Sequence, residues 1–492
     1  MSIKKRLPAQ AEIDTFDERE GPHDECGVFG VYSPGKEPAR LAYFALYALQ
    51  HRGQESAGIA TCEGGHITTL RETGLVSQVF DEQKLTALDG DMAIGHVRYS
   101  TTGSGSWENT QPVWRDDGRE VALAHNGNLT NAVEIYNELR EQGVSFRGTS
   151  DSEIMAALIS VNEARPIENA VAAVMPRLRG AYSTVVMTKR AVVAFRDPHG
   201  VRPLALGRIG DEYCVASESC AFDIIGAEFV RDVNPGELIS IGPNGLETRQ
   251  VVEPKRPALC VFEHIYFSRP DTRLEGRVLQ EVRGKMGEIL ARESPVEADL
   301  VIAVPDSGNP AANGFARASG LPKDDGLIKN RYVQRTFIQP GQELRKHGLR
   351  MKFNPLPEIV SGKRVVVVDD SIVRGNTTTQ IVGMLRDAGA KEVHLRISAP
   401  PIRNPCHYGI DMHTREEMIA HERTEAEIAA KVGADSLAYL SLEGVYEAVG
   451  TPRERHCDAC FTGEYPLGGT DQDGKMSLEM VGKTSVPEKS LL

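Results

Sequence analysis

Residues 365–379 read VVVVDDSIVRGNTTT. Four consecutive valines, Val365 to Val368, suit a parallel strand covered on both faces, where every side chain is buried. Two acids follow, then a short loop containing Gly375, then threonines that open a helix. Ile381, Met384, Leu385 and Ala388 carry the helical stripe onward to Gly389, a residue type that caps helix C-termini. In an open α/β sheet a ligand binds at the carboxyl ends of the strands, which is where this loop falls. Backbone amides from Ser371 to Thr378, including those of Arg374, Gly375, Asn376 and Thr377, can cradle a phosphate against the helix N-terminus. Asp369 and Asp370 would repel that phosphate. They suit the vicinal hydroxyls of a sugar, or a hard cation such as Mg²⁺.

The alternation of strand and helix extends to both sides of this stretch. DLVIAVP, KRVVVVDD and KEVHLRISAP are strand-like, and NPAANGFARASG and TTTQIVGMLRDAGA are helix-like. Upstream, EGRVLQEVRGKMGEILARE places Val278, Val282, Met286 and Ile289 on one face of an amphipathic helix. Residues 254–465 therefore read as a doubly wound α/β domain. Before them, from Cys26 to about residue 253, short strand candidates (GVFGVY, HITTLRE, VALAHNGNL, AYSTVVMT) are separated by Gly-rich turns. One helix candidate there repeats Leu41, Ala45 and Ala48, and another begins SDSEIMAALIS with a capping-type start. This half reads as an α+β layered domain. Residues 1–25 form a polar leader without the apolar centre of a secretory signal, and residues 466–492 are polar and Gly-rich and read as a disordered tail.

At 492 residues the chain has room for two large domains. No apolar run is long enough to span a membrane, and a cytoplasmic protein is expected. A net charge of -13 argues against a nucleic-acid surface. Eight cysteines are too few for a disulfide framework in so long a chain.

Other residues carry chemistry. Cleavage between Glu25 and Cys26 would give Cys26 its own free α-amino group, which titrates near pH 8 and can take the thiol proton. Ser307, in VPDSGNPAA, falls at the same sheet edge as Asp369 and Asp370; by itself it reads better as a helix N-cap than as a metal ligand. The segment 329–355 is basic and irregular, and carries Arg331, Arg335, Arg350 and Lys352. Cys457 and Cys460 have a metal-ligand spacing, and Cys260 and Cys406 could complete a set of four. The chemistry alone leaves zinc and an iron–sulfur cluster open. Cys62, Cys214 and Cys220 read as buried thiols.

The 365–379 motif resembles the phosphoribosyl pyrophosphate motif of type I phosphoribosyltransferases. That likeness implies that Asp369 and Asp370 hold ribose hydroxyls and Mg²⁺, that Ser307 adds a hydroxyl ligand to the metal, and that residues from Ser371 to Thr379, with Thr378 among them, hold the 5′-phosphate. The 329–355 segment resembles the family's loop over pyrophosphate, which implies that Arg331, Arg335, Arg350 and Lys352 neutralise the leaving group. QHRGQESAGIA (50–60), GHVRYSTTGS (95–104), AHNGNL (124–129) and TSDSE (149–153) match, in order, the N-terminal-nucleophile (Ntn) glutamine amidotransferases. By that resemblance Cys26 is the nucleophile, Arg98 binds the glutamine α-carboxylate and Asp151 its α-amino group, while the Asn126 side chain and the Gly127 amide form the oxyanion hole. The order of the two domains, with HIYFSRPD (264–271) and KNRYVQRTFI (329–338), is similar to the amidophosphoribosyltransferases. The resemblance implies conversion of phosphoribosyl pyrophosphate, glutamine and water to phosphoribosylamine, glutamate and pyrophosphate, at the start of purine synthesis. It further implies a cleaved propeptide and a [4Fe–4S] cluster on Cys260, Cys406, Cys457 and Cys460, as in one branch of the family, with a homotetramer and purine nucleotides as feedback inhibitors. Two alternatives stand beside it: a hexosamine-type glutamine amidotransferase, and a non-catalytic regulator that senses phosphoribosyl pyrophosphate.

Overall fold

The computed structural model describes residues 26–99, 106–330, 352–412, 414–468 and 478. The leader, most of the tail, and the expected loop residues Arg331, Arg335 and Arg350 lie outside them.

The amino-terminal half is built on thirteen strands. They are β1 (Gly27–Tyr32), β2 (Ser56–Glu63), β3 (His66–Thr73), β4 (Met92–Arg98), β5 (Val113–Asp116), β6 (Glu120–Leu129), β7 (Gly180–Met187), β8 (Val192–Arg196), β9 (Ala205–Ile209), β10 (Glu212–Ala216), β11 (Glu228–Asp232), β12 (Glu237–Gly242) and β13 (Gly245–Gln250). They form one sheet in the order β11-β9-β10-β1-β4-β2-β3 and a second in the order β13-β12-β8-β7-β6-β5. Alternate residues of both sheets, among them Val28, Ala60, Ile94, Ala124, Val185 and Ala194, interdigitate in a shared apolar layer. The opposite face of the first sheet is covered by the helix Pro38–Ala48, and that of the second by Ala132–Glu141, Asp151–Val161 and Ile167–Val174. The result is a four-layer helix–sheet–sheet–helix arrangement, the Ntn architecture. Ser150 caps its helix as expected, its hydroxyl accepting from the Glu153 amide at 3.3 Å. The buried stripe of Pro38–Ala48 runs through Ala42, Ala45 and Leu46, and Leu41 sits at its half-buried margin.

The carboxy-terminal half is a four-stranded sheet in the order Leu300–Ala303, Arg364–Asp369, Glu392–Ile397, Ser436–Tyr439, every pair parallel. Val365 to Val368 are fully buried, as the unbroken β-branched run requires. The helices Leu279–Glu293, Asn309–Ser319 and Leu442–Val449 pack together as one group, and Asn376–Asp387 with Glu425–Val432 as another. Val282, Met286 and Ile289 are buried as the periodicity predicts, whereas Val278 precedes the first turn and is half-buried. Gly389 lies one residue past the C-cap Ala388 with φ +91°, the left-handed turn that ends many helices. The strand Ser436–Tyr439 went unread, being short and lacking a strong β-branched run.

Candidate active sites and metal centre

Cys26 stands immediately before β1, buried, with its thiol 3.5 Å from the Tyr99 carbonyl oxygen that accepts from it. Burial pushes the thiol up to about 11, against smaller downward effects from that hydrogen bond and from Arg98. A thiol so protonated needs a base before it can attack. Arg98 at the end of β4, Glu55 and Asp151 all lie within electrostatic reach of the sulfur. Asp151 opens its helix, and its Oδ2 accepts from the Leu129 amide at 3.0 Å.

Asn126 and Gly127 are on β6. Asn126 is buried, and its Nδ2 has no hydrogen-bond partner among the described residues. An orphaned buried donor is costly, and a site that will receive an anion is a physical reason to keep one. Gly127 has φ +142°, and a Cβ there would stand 2.0 Å from the Ala181 oxygen, so only glycine fits. Beside them His96 and His125 are buried; desolvation lowers both, His96 to about 3, so this floor of the site is uncharged at neutral pH.

Cys26 is tied to the other half of the chain. Arg52, buried, donates to the Cys26 carbonyl oxygen at 3.2 Å and pairs with both Glu218 and Glu263, the latter at 2.8 Å. Asn128 Nδ2 donates to the His407 carbonyl oxygen at 2.9 Å, and Arg202 donates twice to that of Tyr408, at 3.1 and 2.7 Å. Arg52 sits in the QHRGQESAG stretch, but nothing in the sequence indicated that its partner would come from a segment 211 residues away.

The Asp369–Asp370 pair ends the Arg364–Asp369 strand, and Gly375 begins the following helix with φ +85°. Burial, with the Asp370 charge beside it, pushes the Asp369 carboxyl well up. Asp370 is likewise raised by burial, offset in part by hydrogen bonds from Ser307 and Ser371. Ser307 thus lies with the acids, and the expected N-cap role is not what it does: the N-cap of Asn309–Ser319 is Gly308, with no side-chain cap. Lys352 is within electrostatic reach of Asp369, and the Arg374 guanidinium pairs with Glu417 at 2.6 Å. Thr377 and Thr378 fall in the first turn of the helix. Two carboxylates and a hydroxyl, with the acids resisting ionisation, form an all-oxygen donor set that fits a hard divalent cation.

Cys260, Cys406, Cys457 and Cys460 line one small cavity. Cys260 and Cys457 are directly paired across two short parallel strands. Burial raises the thiols of Cys260, Cys457 and Cys460, and the neighbouring sulfurs raise them further. Thiolates on one tetrahedral zinc stand about 3.8 Å apart. Among the described residues no three of these sulfurs come within 4.8 Å of one another. Four thiols on one cavity are the all-sulfur donor set that an iron–sulfur cluster takes.

Residues 96–223 match a glutamine amidotransferase domain, and residues 274–414 match a phosphoribosyl transferase domain. Fold and site together therefore define a glutamine amidotransferase joined to a phosphoribosyl transferase. The chain is 51% identical over 460 residues to the amidophosphoribosyltransferase of Mycobacterium tuberculosis (strain ATCC 25618 / H37Rv), covering 91% of this chain and 87% of that one. It is 49% identical over 485 residues to that of Synechococcus elongatus, covering 96% and 98%. A solved structure of the glutamine phosphoribosylpyrophosphate amidotransferase of B. subtilis, complexed with ADP and GMP, aligns with TM-score 0.86 at 44% identity, covering 92% of this chain and 100% of that one. A structure of the allosteric regulatory enzyme of purine biosynthesis aligns with TM-score 0.85 at 46% identity, covering 90% and 96%. The chain belongs to the amidophosphoribosyltransferase family. The phosphoribosyl transferase match in the second half argues against the hexosamine alternative. No helix among the described residues is long and apolar enough to cross a membrane.

Proposed function

We propose that this chain converts phosphoribosyl pyrophosphate, glutamine and water to phosphoribosylamine, glutamate and pyrophosphate, with the two half-reactions at the two sites above. The observation that carries the proposal is Arg52, which holds the Cys26 carbonyl while paired to Glu263 of the other half. A glutaminase working alone has no use for that link.

After removal of residues 1–25, the α-amino group of Cys26 takes the thiol proton. The sulfur attacks the glutamine carboxamide carbon. Asn126 Nδ2 and the Gly127 N–H receive the oxyanion, while Arg98 and Asp151 hold the substrate's α-carboxylate and α-ammonium. Ammonia departs, and water cleaves the thioester to glutamate. At the second site ammonia attacks the ribose C1 and pyrophosphate leaves. Residues Ser371 to Thr378 hold the 5′-phosphate, and Asp369 and Asp370 hold the ribose hydroxyls. Lys352, Arg331 and Arg335 offset charge on the pyrophosphate. Mg²⁺, held by Asp369, Asp370 and Ser307, would neutralise part of that charge. The four cysteines hold a [4Fe–4S] cluster whose role is structural. Cytoplasmic homotetramers inhibited by purine nucleotides complete the reading, supported by family membership and by the ADP and GMP in the B. subtilis relative.

The test uses purified chain whose first residue is Cys26, supplied with both substrates and Mg²⁺. Glutamate and pyrophosphate should appear in equal amounts. Glutamate release without any pyrophosphate would overturn the proposal.

A further inference from the structure

Three segments meet one residue before Cys457. His264 lies in the turn Glu263–Phe267, Glu275 at the tip of the hairpin joining Arg273–Leu274 to Arg277–Val278, and His456 on the strand His456–Cys457. One ligand atom from each lies within 4.8 Å of the other two. Both imidazoles are buried. His456 Nδ1 is 3.1 Å from the Pro452 carbonyl oxygen. A carbonyl only accepts, so Nδ1 carries a hydrogen and Nε2 is the nitrogen turned toward the cluster, the arrangement that orients histidine for a metal. Nε2 is 3.4 Å from Thr451 Oγ1 and faces Glu275 Oε2 at 3.0 Å. His264 Nε2 pairs with the same oxygen in a long contact of 3.4 Å, and its Nδ1 makes no hydrogen bond among the described residues. Thr451 donates to that oxygen at 3.3 Å, and Arg455 lies 3.6 Å from the other, Oε1.

A proton placed between His456 and Glu275 would leave His264 with only its long contact to the shared oxygen. An ion among the three atoms satisfies all of them. Nitrogen and oxygen ligands on tetrahedral zinc stand about 3.3 Å apart, between the two distances observed. We propose that His264, Glu275 and His456 bind one divalent transition ion, zinc by preference, with water in the fourth position. Two imidazoles and a carboxylate suit zinc among the common ions. Neighbours on a strand point to opposite sides, so His456 is directed away from the Cys457 cavity and the two centres are separate. The ion would pin the Cys457–Cys460 segment and the hairpin to the start of the phosphoribosyl transferase half. The proposal is independent of the catalytic reading and of the cluster.

The experiment adds zinc chloride, and separately cobalt chloride, to the iron-loaded protein and counts metals by mass spectrometry. Wild type should hold one zinc equivalent beyond its iron. Its cobalt form should show ligand-field bands without the thiolate charge-transfer absorption that occupancy of the cysteines would give. His264→Gln and Glu275→Gln should each bind zinc at least about 100-fold more weakly with iron content unchanged, and zinc should raise the melting temperature of wild type alone. No zinc beyond the iron, a thiolate-type cobalt spectrum, or equal zinc binding by both variants would overturn the proposal. The wild-type measurements decide it even if a variant fails to fold.

Discussion

Asn126 shows most clearly how a single side chain is bound to a task. Its buried amide donates to nothing among the described residues, although an unpaired buried donor is costly. Asn126→Ala should lower glutamine-dependent kcat by about 10² to 10³, the usual cost of one oxyanion donor, and leave synthesis from ammonium salts unchanged. Steady-state assays with each nitrogen source check this, and an equal loss with both would contradict it. Gly127→Ala should do worse, because the left-handed backbone and the Ala181 oxygen at 2.0 Å exclude a Cβ. At this scale the paired aspartates at a strand end were legible in residue types, whereas the roles expected of Asn126 and Arg98 came from the family resemblance. Ser307 was ambiguous from its residue type alone, since N-caps and metal ligands share it, and only the fold brings its hydroxyl to Asp370. His264, Glu275 and His456 carry no spacing signal, since three separate segments bring them together.

At the scale of elements, the strand–turn–helix from Arg364 to Asp387 does what its sequence announces. Buried valines fix the strand, and the acids fall at its carboxyl end. Gly375 supplies the left-handed residue that turns the chain into the helix. A Cβ at Gly375 would stand 2.3 Å from Ile419 Cδ1. Gly375→Ala should therefore raise KM for phosphoribosyl pyrophosphate, and Asp370→Asn should depress both the glutamine- and the ammonia-dependent reactions. Unchanged ammonia-dependent kinetics in Asp370→Asn would mean that the acceptor site lies elsewhere. Periodicity found this unit because one motif contains strand, turn and helix. It missed Ser436–Tyr439, whose identity as a strand comes from pairing with Glu392–Ile397 rather than from its own composition.

For the whole molecule, what matters is how the halves are joined, and little of that could be read in advance, because Arg52, Glu218 and Glu263 meet only in the folded chain. Burial alone would raise the Glu218 carboxyl, but His51 and Arg52 outweigh it and hold it well below its ordinary value. A carboxylate depressed in this way stabilises the fold above its unfolded value near pH 4.3, and that stability is lost as pH falls through the lower folded value. Glu218→Gln should cost about 3–5 kcal/mol at pH 7, with a gap from wild type that narrows below about pH 4.3. Melting midpoints between pH 7 and 3 check the sign. Cys457→Ser should yield protein without iron and poorly folded, because a four-cysteine site contributes directly to folding. A soluble, active, iron-free variant would count against the cluster. Loss of the cluster should also disturb the glutaminase, since Asn128 on the oxyanion strand donates to His407, next to Cys406. The central claim is that glutamine cleavage and phosphoribosyl transfer occupy separate sites of one chain. Pyrophosphate release by Cys26→Ala, measured with glutamine and then with ammonium, tests it most directly. The account predicts no release with glutamine and near wild-type release with ammonium; equal loss of both would contradict it.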